Sequence, residues 1–182
     1  MTLDEAVARV VDALNGAGIP FMLVGSFSSN YYGVPRATRD VDIVVETAGP
    51  LTDAFVGSLG ADFEAEQQQT FETETGTQRQ ELSIKGTIFK IEMFRLSPDP
   101  HDQERFRRRQ EVLVQGHEFF FPRAEDVIIW KLRWARSKDR EDVRAVIGVQ
   151  QERLDWAYIE RWCDRHGTRA VLEEIRRSVP KA

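Results

Sequence analysis

The start of the chain has the hydrophobic pattern of an amphipathic helix. Thr2 and Glu5 have the spacing of a capping box, and Asn15-Gly16 marks the expected end of the helix. Apolar residues three and four positions apart share one face of such a helix and are expected to be buried. These residues are Leu3, Ala6, Val7, Val10, Val11 and Leu14.

Farther along, short apolar runs alternate with polar turns. The run 21–24 is wholly apolar and predicts a buried strand, and residues 40–46 predict a second strand in which Val41, Ile43 and Val45 point into the core. The stretch 61–76 favours neither helix nor strand. Helices are expected over 27–32, 51–59 and 102–109, strands over 81–84 and 87–94 with a turn at Lys85-Gly86, and a hairpin of 111–114 with 118–121.

From Pro122 onward the pattern is helical throughout. Helices are expected over 123–136, 139–149, 155–166 and 168–179. The chain is therefore predicted to be α/β over residues 1–121, with a C-terminal helical subdomain over 122–182 that packs on this core. No apolar run reaches the roughly 20 residues of a membrane helix.

Three acidic residues are the first candidates for chemistry. Asp40 and Asp42 are two apart on a predicted strand, so their carboxylates point to the same face, where a cation between them would offset their repulsion. Glu92 lies mid-strand and completes a triad if its strand pairs with residues 40–46. The alternatives are a solvated strand face for the two aspartates and a cross-strand pair with a lysine for Glu92.

Gly25-Ser26, between a buried strand and a helix start, has the chemistry of an anion site. Backbone N–H groups at a helix start attract phosphate, and glycine permits a close approach. An ordinary turn is the alternative.

Composition and charge limit the class of protein. The 182 residues carry a net charge of −5, which argues against a surface built for non-specific nucleic-acid binding. The single cysteine, Cys163, excludes an intrachain disulfide, and the expected compartment is the cytoplasm. The most basic run, residues 105–109, is interpreted as a solvated face, with a contact to nucleic acid as the alternative.

Taken together, Gly25-Ser26, a spacer and Asp40-Val41-Asp42 before apolar residues resemble the signature of the nucleotidyltransferase superfamily with the DNA polymerase β-like fold. Small bacterial nucleotidyltransferases of the AbiEii-like kind are similar over about residues 18–166. They also carry a Glu-Asp helix start with a lysine, and a later aspartate. Here these are Glu125-Asp126, Lys131 and Asp142. The resemblance implies an α/β core with a mixed sheet.

The resemblance also implies an activity. Asp40, Asp42 and Glu92 would bind two Mg²⁺ ions, and the enzyme would move a nucleoside monophosphate from a nucleoside triphosphate (NTP) to an acceptor hydroxyl. Gly25 and Ser26 would bind the phosphates. The third acid in such enzymes is usually aspartate, so Glu92 keeps open a nucleotide- or partner-binding module without turnover.

Four further residues complete the predicted site. Arg36 and Arg39 are expected to meet phosphate oxygens, with a solvated loop as the alternative. Lys131 is expected to touch the triphosphate or the acceptor, with an exposed ammonium on a buried stem as the alternative. In the proteins that the chain resembles, the aspartate at the position of Asp142 orients the lysine. Surface pairing with Lys138 or Arg136 is the alternative for Asp142.

The acceptor and partners follow from the resemblance alone. It extends to toxins of bacterial toxin–antitoxin pairs that modify tRNA, which implies tRNA or another RNA as acceptor and an antitoxin protein as partner. A small-molecule acceptor such as an aminoglycoside is the other enzymatic alternative.

Overall fold

The computed structural model describes residues 1–66, 70–71 and 76–180. Its helices are α1 (Leu3–Gly16), α2 (Gly25–Tyr32), α3 (Asp53–Ser58), α4 (Pro100–Arg107), α5 (Ala124–Trp134), α6 (Ser137–Gln150), α7 (Trp156–His166) and α8 (Arg169–Ser178). Its strands are β1 (Phe21–Val24), β2 (Asp40–Val45), β3 (Phe63–Ala65), β4 (Thr70–Phe71), β5 (Gln78–Ile84), β6 (Lys90–Arg95), β7 (Gln110–Val114) and β8 (His117–Phe121). A 3₁₀ turn spans Gln151–Arg153.

The described chain divides into two units. Unit 1 comprises residues 1–24 and 38–121, and unit 2 comprises residues 25–37 and 122–182. The segment that carries Gly25, Ser26 and Arg36 thus belongs to the same unit as the C-terminal helices. The predicted division into domains over 1–121 and 122–182 stays a prediction.

The main sheet of unit 1 is mixed. Its described strands run in the order β1-β2-β6-β5-β3, and β4 also pairs with β5. β2 and β6 are parallel, whereas the β1–β2 and β5–β6 pairs are antiparallel. A second sheet consists of the antiparallel hairpin β7–β8. The predicted α/β class with a mixed sheet is confirmed.

The core of unit 1 follows the predicted periodicity. Thr2 and Glu5 form the capping box of α1, since each backbone N–H donates to the other residue's side chain. Of the predicted helix stripe, Leu3 is half-buried and the other five residues are buried. Val41, Ile43 and Val45 are buried as expected. On the opposite side of the sheet an apolar cluster joins Met22, Val24, Val44 and Phe106.

Several elements in unit 1 differ at their ends from the prediction. α4 begins at Pro100 and not at Asp102, because Asp99 caps it by accepting the N–H groups of His101 and Asp102. β6 begins at Lys90 and not at Thr87, because the Thr87 N–H closes a turn onto Ile84. β5 starts three residues earlier than predicted because its pairing with β6 continues to Arg79. Of the stretch 61–76, residues 67–69 and 72–75 lie outside the described residues.

Unit 2 consists of α2 and the four C-terminal helices. The four helices predicted from Pro122 onward are confirmed, with their ends shifted by at most two residues. α2 begins at Gly25, two residues before the prediction, and Gly25 has φ +61°, a conformation that favours glycine. Gly33 lets the end of α2 approach α6: a Cβ atom there would lie 3.1 Å from the backbone nitrogen of Val146.

Candidate active site

Unit 1 carries a row of carboxylates on one face of its sheet. Asp40 and Asp42 lie two apart on β2, and the parallel register sets Asp42 beside Glu92 on β6. On the far side of Glu92, the antiparallel register places Glu81 of β5 directly opposite it. Side chains at paired positions of neighbouring strands share a face. We call Asp40, Asp42, Glu92 and Glu81 the acidic face.

Glu81 was not among the site residues predicted from the sequence. Glu81 belongs to the acidic face only because β5 pairs with β6, and no local sequence pattern determines that pairing. The alternation of Glu81 with buried Leu82 and Ile84 was a usable signal, since it assigns Glu81 to the polar side of its strand.

Two basic residues on the same strands neutralise part of the acidic face. Nη1 of Arg79 lies 2.7 Å from Oε1 of Glu92, and Nε of Arg79 donates to the Thr70 hydroxyl. Nζ of Lys90 lies 2.6 Å from Oε1 of Glu81. The cross-strand pair that the sequence suggested for Glu92 therefore exists, with an arginine and not a lysine.

Despite Arg79, the environment of Glu92 disfavours its charge. Burial raises the pKa of Glu92 above its ordinary value, and the neighbouring carboxylate of Asp42 raises it further. Arg79 opposes both effects without overcoming them. Glu92 is thus a carboxylate with increased affinity for a proton.

The acidic face fits Mg²⁺ through its two aspartates. Among residues 1–66, 70–71 and 76–180, no three His, Cys, Asp or Glu side chains lie close enough together to hold a metal ion. Mg²⁺ usually binds through one or two carboxylates and completes its shell with substrate phosphates and water. Asp40 and Asp42, on one face of β2, match that mode. The role of Glu92 as a third ligand stays a prediction.

Unit 2 carries a cluster of charged side chains around Asp142, on α6. Its carboxylate accepts hydrogen bonds from Nε and Nη2 of Arg36, at 2.9 and 3.0 Å. Nζ of Lys131, on α5, donates to the same carboxylate at 2.8 Å, and the Ser29 hydroxyl donates at 3.3 Å. Burial would raise the pKa of Asp142, but the hydrogen bonds from Arg36 and Lys131 lower it below its ordinary value. Asp142 is therefore held as an anion between two cations.

Lys131 is unusually buried for a lysine. The residue is only 7% exposed. Its ammonium also lies 3.6 Å from Asp139, which Arg136 contacts at 2.6 Å. The ion-pair partners of Asp142 are thus Lys131 and Arg36, and the pair with Arg136 suggested by the sequence is formed by Asp139. The catalytic roles of Lys131 and Asp142 stay predictions.

The remaining predicted residues divide between the two units. Ser26, on the first turn of α2, accepts a hydrogen bond from Nη2 of Arg36 at 3.0 Å. Gly25 begins the same helix. Arg39 belongs to unit 1 and is exposed, and its carbonyl accepts the N–H of Lys90. The structure therefore groups Ser26, Arg36, Lys131 and Asp142 in unit 2 and Asp40, Asp42 and Glu92 in unit 1.

The basic run 105–109 is not a uniform solvated face. Arg105 is 2% exposed and pairs with Asp102, whose carboxylate also accepts from Ser97. Arg107 pairs with Glu104, and the guanidinium of Arg109 lies 4.2 Å from the centre of the Phe106 ring. The interpretation as a solvated face is wrong for Arg105, because α4 turns that side chain toward Asp102.

The sequence matches a family model over nearly its whole length. The model described as "nucleotidyl transferase of unknown function (DUF2204)" matches residues 3–179. The chain belongs to this family. The match includes the acidic face and the cluster around Asp142, so both lie within the part of the chain that the family shares. A comparison with curated proteins finds no match.

Solved structures support the same fold. The chain is similar to the antibiotic-resistance factor ANT(2'')-Ia in its solution structure, with a TM-score of 0.57 and 13% identity over 98% of this chain and 99% of that one. An antigenic nucleotidyltransferase-like protein from Paracoccidioides brasiliensis gives a TM-score of 0.58 and 18% identity over 100% of this chain and 96% of that one. JHP933 from Helicobacter pylori gives a TM-score of 0.52 and 13% identity over 89% of this chain and 71% of that one. At sequence identities this low, the structural similarity establishes the fold alone.

Within the described part of the chain, no helix is both long enough and apolar enough to cross a bilayer.

Proposed function

We propose that the chain is a Mg²⁺-dependent nucleotidyltransferase that moves a nucleoside monophosphate from an NTP to an acceptor hydroxyl. The observation that carries the proposal is the parallel pairing of β2 with β6, which sets Asp42 beside Glu92 on the face that also bears Asp40. Mg²⁺ held by Asp40 and Asp42 would offset the triphosphate charge and stabilise the leaving oxygen.

In the proposed reaction, Glu92 is the general base that accepts the proton of the acceptor hydroxyl. The acceptor oxygen forms a bond to the α-phosphorus, and the bond from that phosphorus to the oxygen bridging to the β-phosphate breaks. Pyrophosphate leaves with the electron pair, and the hydroxyl proton passes to the Glu92 carboxylate. The raised pKa of Glu92 supports this role, because a base whose pKa lies nearer to neutrality accepts a proton more readily.

The cluster around Asp142 is proposed to bind the triphosphate. Arg36 and Lys131 supply cationic N–H donors to phosphate oxygens, with Gly25 and Ser26 adding donors at the start of α2. An ammonium has three N–H donors, and Asp142 accepts one from Lys131. Asp142 thus orients Lys131 without using its full donor capacity.

Charge favours a cationic small molecule as the acceptor. The net charge of −5 attracts amines and repels RNA. ANT(2'')-Ia, which shares the fold, was solved in complex with adenylyl-2''-tobramycin. An RNA acceptor, and with it a toxin role and an antitoxin partner, has less support, because Arg105 in the most basic run is buried against Asp102.

One contact favours a second candidate function. The guanidinium of Arg79 lies 2.7 Å from one oxygen of Glu92, the residue that stands where such enzymes usually have aspartate. An ion pair at this oxygen opposes the transfer of a proton to Glu92, as expected of a module that binds nucleotide without turnover. This alternative predicts nucleotide binding without release of pyrophosphate.

The test is transfer of labelled nucleotide. The protein is incubated with Mg²⁺, each of four α-³²P NTPs in turn, and either an aminoglycoside panel or total RNA. Label is expected on an aminoglycoside with wild type, and at less than about 1% of that level with Asp42→Asn. Asp62→Asn, a change at an exposed aspartate of unit 1, is the matched control and should transfer as wild type does.

Each other outcome has a defined meaning. Label on RNA alone would support transfer but overturn the small-molecule acceptor. Equal transfer by Asp42→Asn would refute the assignment of the acidic face. Nucleotide binding with no pyrophosphate release across both acceptor sets would favour the module without turnover.

A further inference from the structure

Asn30, on α2, contacts the main chain of Arg36 at both of its polar groups. Nδ2 of Asn30 donates to the Arg36 carbonyl at 2.8 Å, and Oδ1 accepts the Arg36 N–H at 3.1 Å. A side-chain amide offers one acceptor and two donors, so a single asparagine satisfies both main-chain groups of one residue. The main chain of Arg36 is therefore held by a helix.

This contact matters because the surrounding loop has no regular structure. Residues 34–38 belong to no helix or strand. Among the described residues, the main chain of Arg36 makes hydrogen bonds only to Asn30. A loop residue without such bonds samples many backbone conformations, which lowers the population of any one side-chain contact.

The guanidinium of Arg36 extends the connection into the cluster. Nε and Nη2 bind Asp142 as a two-pronged pair, and Nη2 also donates to Ser26. Nη1 of Arg36 has no protein partner among the described residues, and the side chain is 39% exposed. Two nitrogens thus orient the guanidinium and the third remains available to an anion.

We propose that Asn30 is a positioning residue for nucleotide binding, acting through Arg36. Asn30 holds the Arg36 main chain, Arg36 pairs with Asp142, and Asp142 in turn orients Lys131. The inference rests on the proposed function, because the anion that Nη1 would meet is a phosphate of the NTP. Asn30 itself touches none of the reacting groups.

The first measurement follows Arg36 directly, without any substrate. The Nε–H groups of arginines in stable ion pairs give resolved ¹⁵N–¹H signals whose exchange with water is slow. The Arg36 signal is assigned by its loss in Arg36→Lys. In Asn30→Ala we expect its exchange to accelerate by about tenfold, the factor expected for two lost hydrogen bonds of modest net strength.

Internal and matched controls accompany this measurement. Nε of Arg105 donates to buried Asp102 in unit 1, and its signal should not change. Asn15→Ala removes another contact from an asparagine side chain to a backbone carbonyl, that of Glu118, and should leave Arg36 unchanged. An unchanged Arg36 signal in folded Asn30→Ala would overturn the proposal.

Asn30→Asp provides a graded variant if Asn30→Ala does not fold. Aspartate keeps an acceptor for the Arg36 N–H but cannot donate to the Arg36 carbonyl. Exchange of the Arg36 signal is expected to lie between the wild-type and alanine values. Exchange as slow as in wild type would show that the bond to the carbonyl has no positioning effect, which contradicts the proposal.

The second measurement separates positioning from loss of structure. With the α-³²P NTP and the acceptor that wild type labels in the transfer assay, Asn30→Ala should raise the KM for NTP by about tenfold, with kcat within about twofold of wild type. A purely structural defect would reduce the active fraction and lower kcat with KM unchanged, against the proposal. If wild type transfers no nucleotide, the proposed function fails. The water exchange of the Arg36 Nε–H signal then decides by itself whether Asn30 positions Arg36.

Discussion

Replacement of Asp142 by alanine tests the cluster in unit 2 as an energetic unit. Asp142→Ala removes the anion that Lys131 contacts at 2.8 Å inside the unit. The lysine is 7% exposed, so its charge has little access to water. Arg36 also loses its partner, but its side chain is 39% exposed, so water can replace part of the lost contact. Ser29 keeps the carbonyl oxygens of Gly25 and Ser26 as acceptors. The cost therefore falls on Lys131.

The size of this cost follows from burial. Removal of one partner from a buried ion pair destabilises a protein by about 3–5 kcal/mol. Asp139 lies 3.6 Å from the ammonium and offsets part of the loss, so we expect about 3 kcal/mol for Asp142→Ala. Lys131→Met removes the buried cation and leaves Asp142 with Arg36, so about 1 kcal/mol is expected. The double variant should cost about 2 kcal/mol, which gives a coupling of about 2 kcal/mol.

The assay is urea unfolding at pH 7 followed by tryptophan fluorescence. The four tryptophans, Trp130, Trp134, Trp156 and Trp162, all belong to unit 2, so the signal reports the unit that carries the cluster. In thermal unfolding, Asp142→Ala should lower Tm by about 6–12 °C. The coupling would be refuted if the double variant lost as much unfolding free energy as the two single variants lose together. A loss below about 1 kcal/mol for Asp142→Ala would refute the claim that Lys131 depends on it.

Three further predictions concern pH and buried charge. Because the pKa of Asp142 is lowered from its ordinary 3.8, its ionised form stabilises the fold above about pH 3.8, and this contribution disappears as pH falls through the lower folded pKa. The stability difference between wild type and Asp142→Asn should thus be constant from pH 7 to 5 and shrink below pH 4; a constant difference down to pH 2 would contradict this. Because the pKa of Glu92 is raised from 4.5, its ionised form costs stability above the folded pKa, and the cost disappears as pH falls to 4.5. Glu92→Gln should therefore be more stable than wild type at pH 7 and equal to it near pH 4, in urea unfolding followed by circular dichroism; lower stability at pH 7 would count against the stated environment. On α4, Arg105→Ala leaves buried Asp102 without its cation and should cost about 3–5 kcal/mol, whereas Arg107→Ala, at a side chain 73% exposed, should cost less than about 0.5 kcal/mol. Equal losses for these two arginines would show that burial does not set the cost.

Local sequence was a good guide wherever one periodicity held over a whole element. The capping box of Thr2 and Glu5 and the buried alternation of Val41, Ile43 and Val45 were all confirmed. Such features depend on neighbours three, four or two residues away, which the sequence displays directly. Ends of elements were less predictable. At α4, for example, the Asp99 cap makes the helix begin two residues before the predicted start.

The candidate site shows where the sequence stops being sufficient. Asp40 and Asp42 share a face because they are two apart on one strand, which their spacing predicts. The partner of Glu92 could not be predicted, because Arg79 reaches it only through the register of β5 with β6. Glu81 joined the acidic face for the same reason. Strand register depends on which faces are buried and on turn geometry, and neither is displayed by a single strand.

The sequence by itself determined the periodic elements, the Asp-x-Asp strand and the resemblance on which the proposed chemistry rests. The tertiary structure decided which charges meet. It grouped residues 25–37 with the C-terminal helices. Arg36 precedes the Asp-x-Asp strand in the sequence and Lys131 follows it, yet both contact the carboxylate of Asp142. The side chain of Asn30 holds the main chain of Arg36 in the loop before that strand. Contacts between residues about 100 positions apart depend on how helices pack, because packing aligns side chains that no local spacing relates.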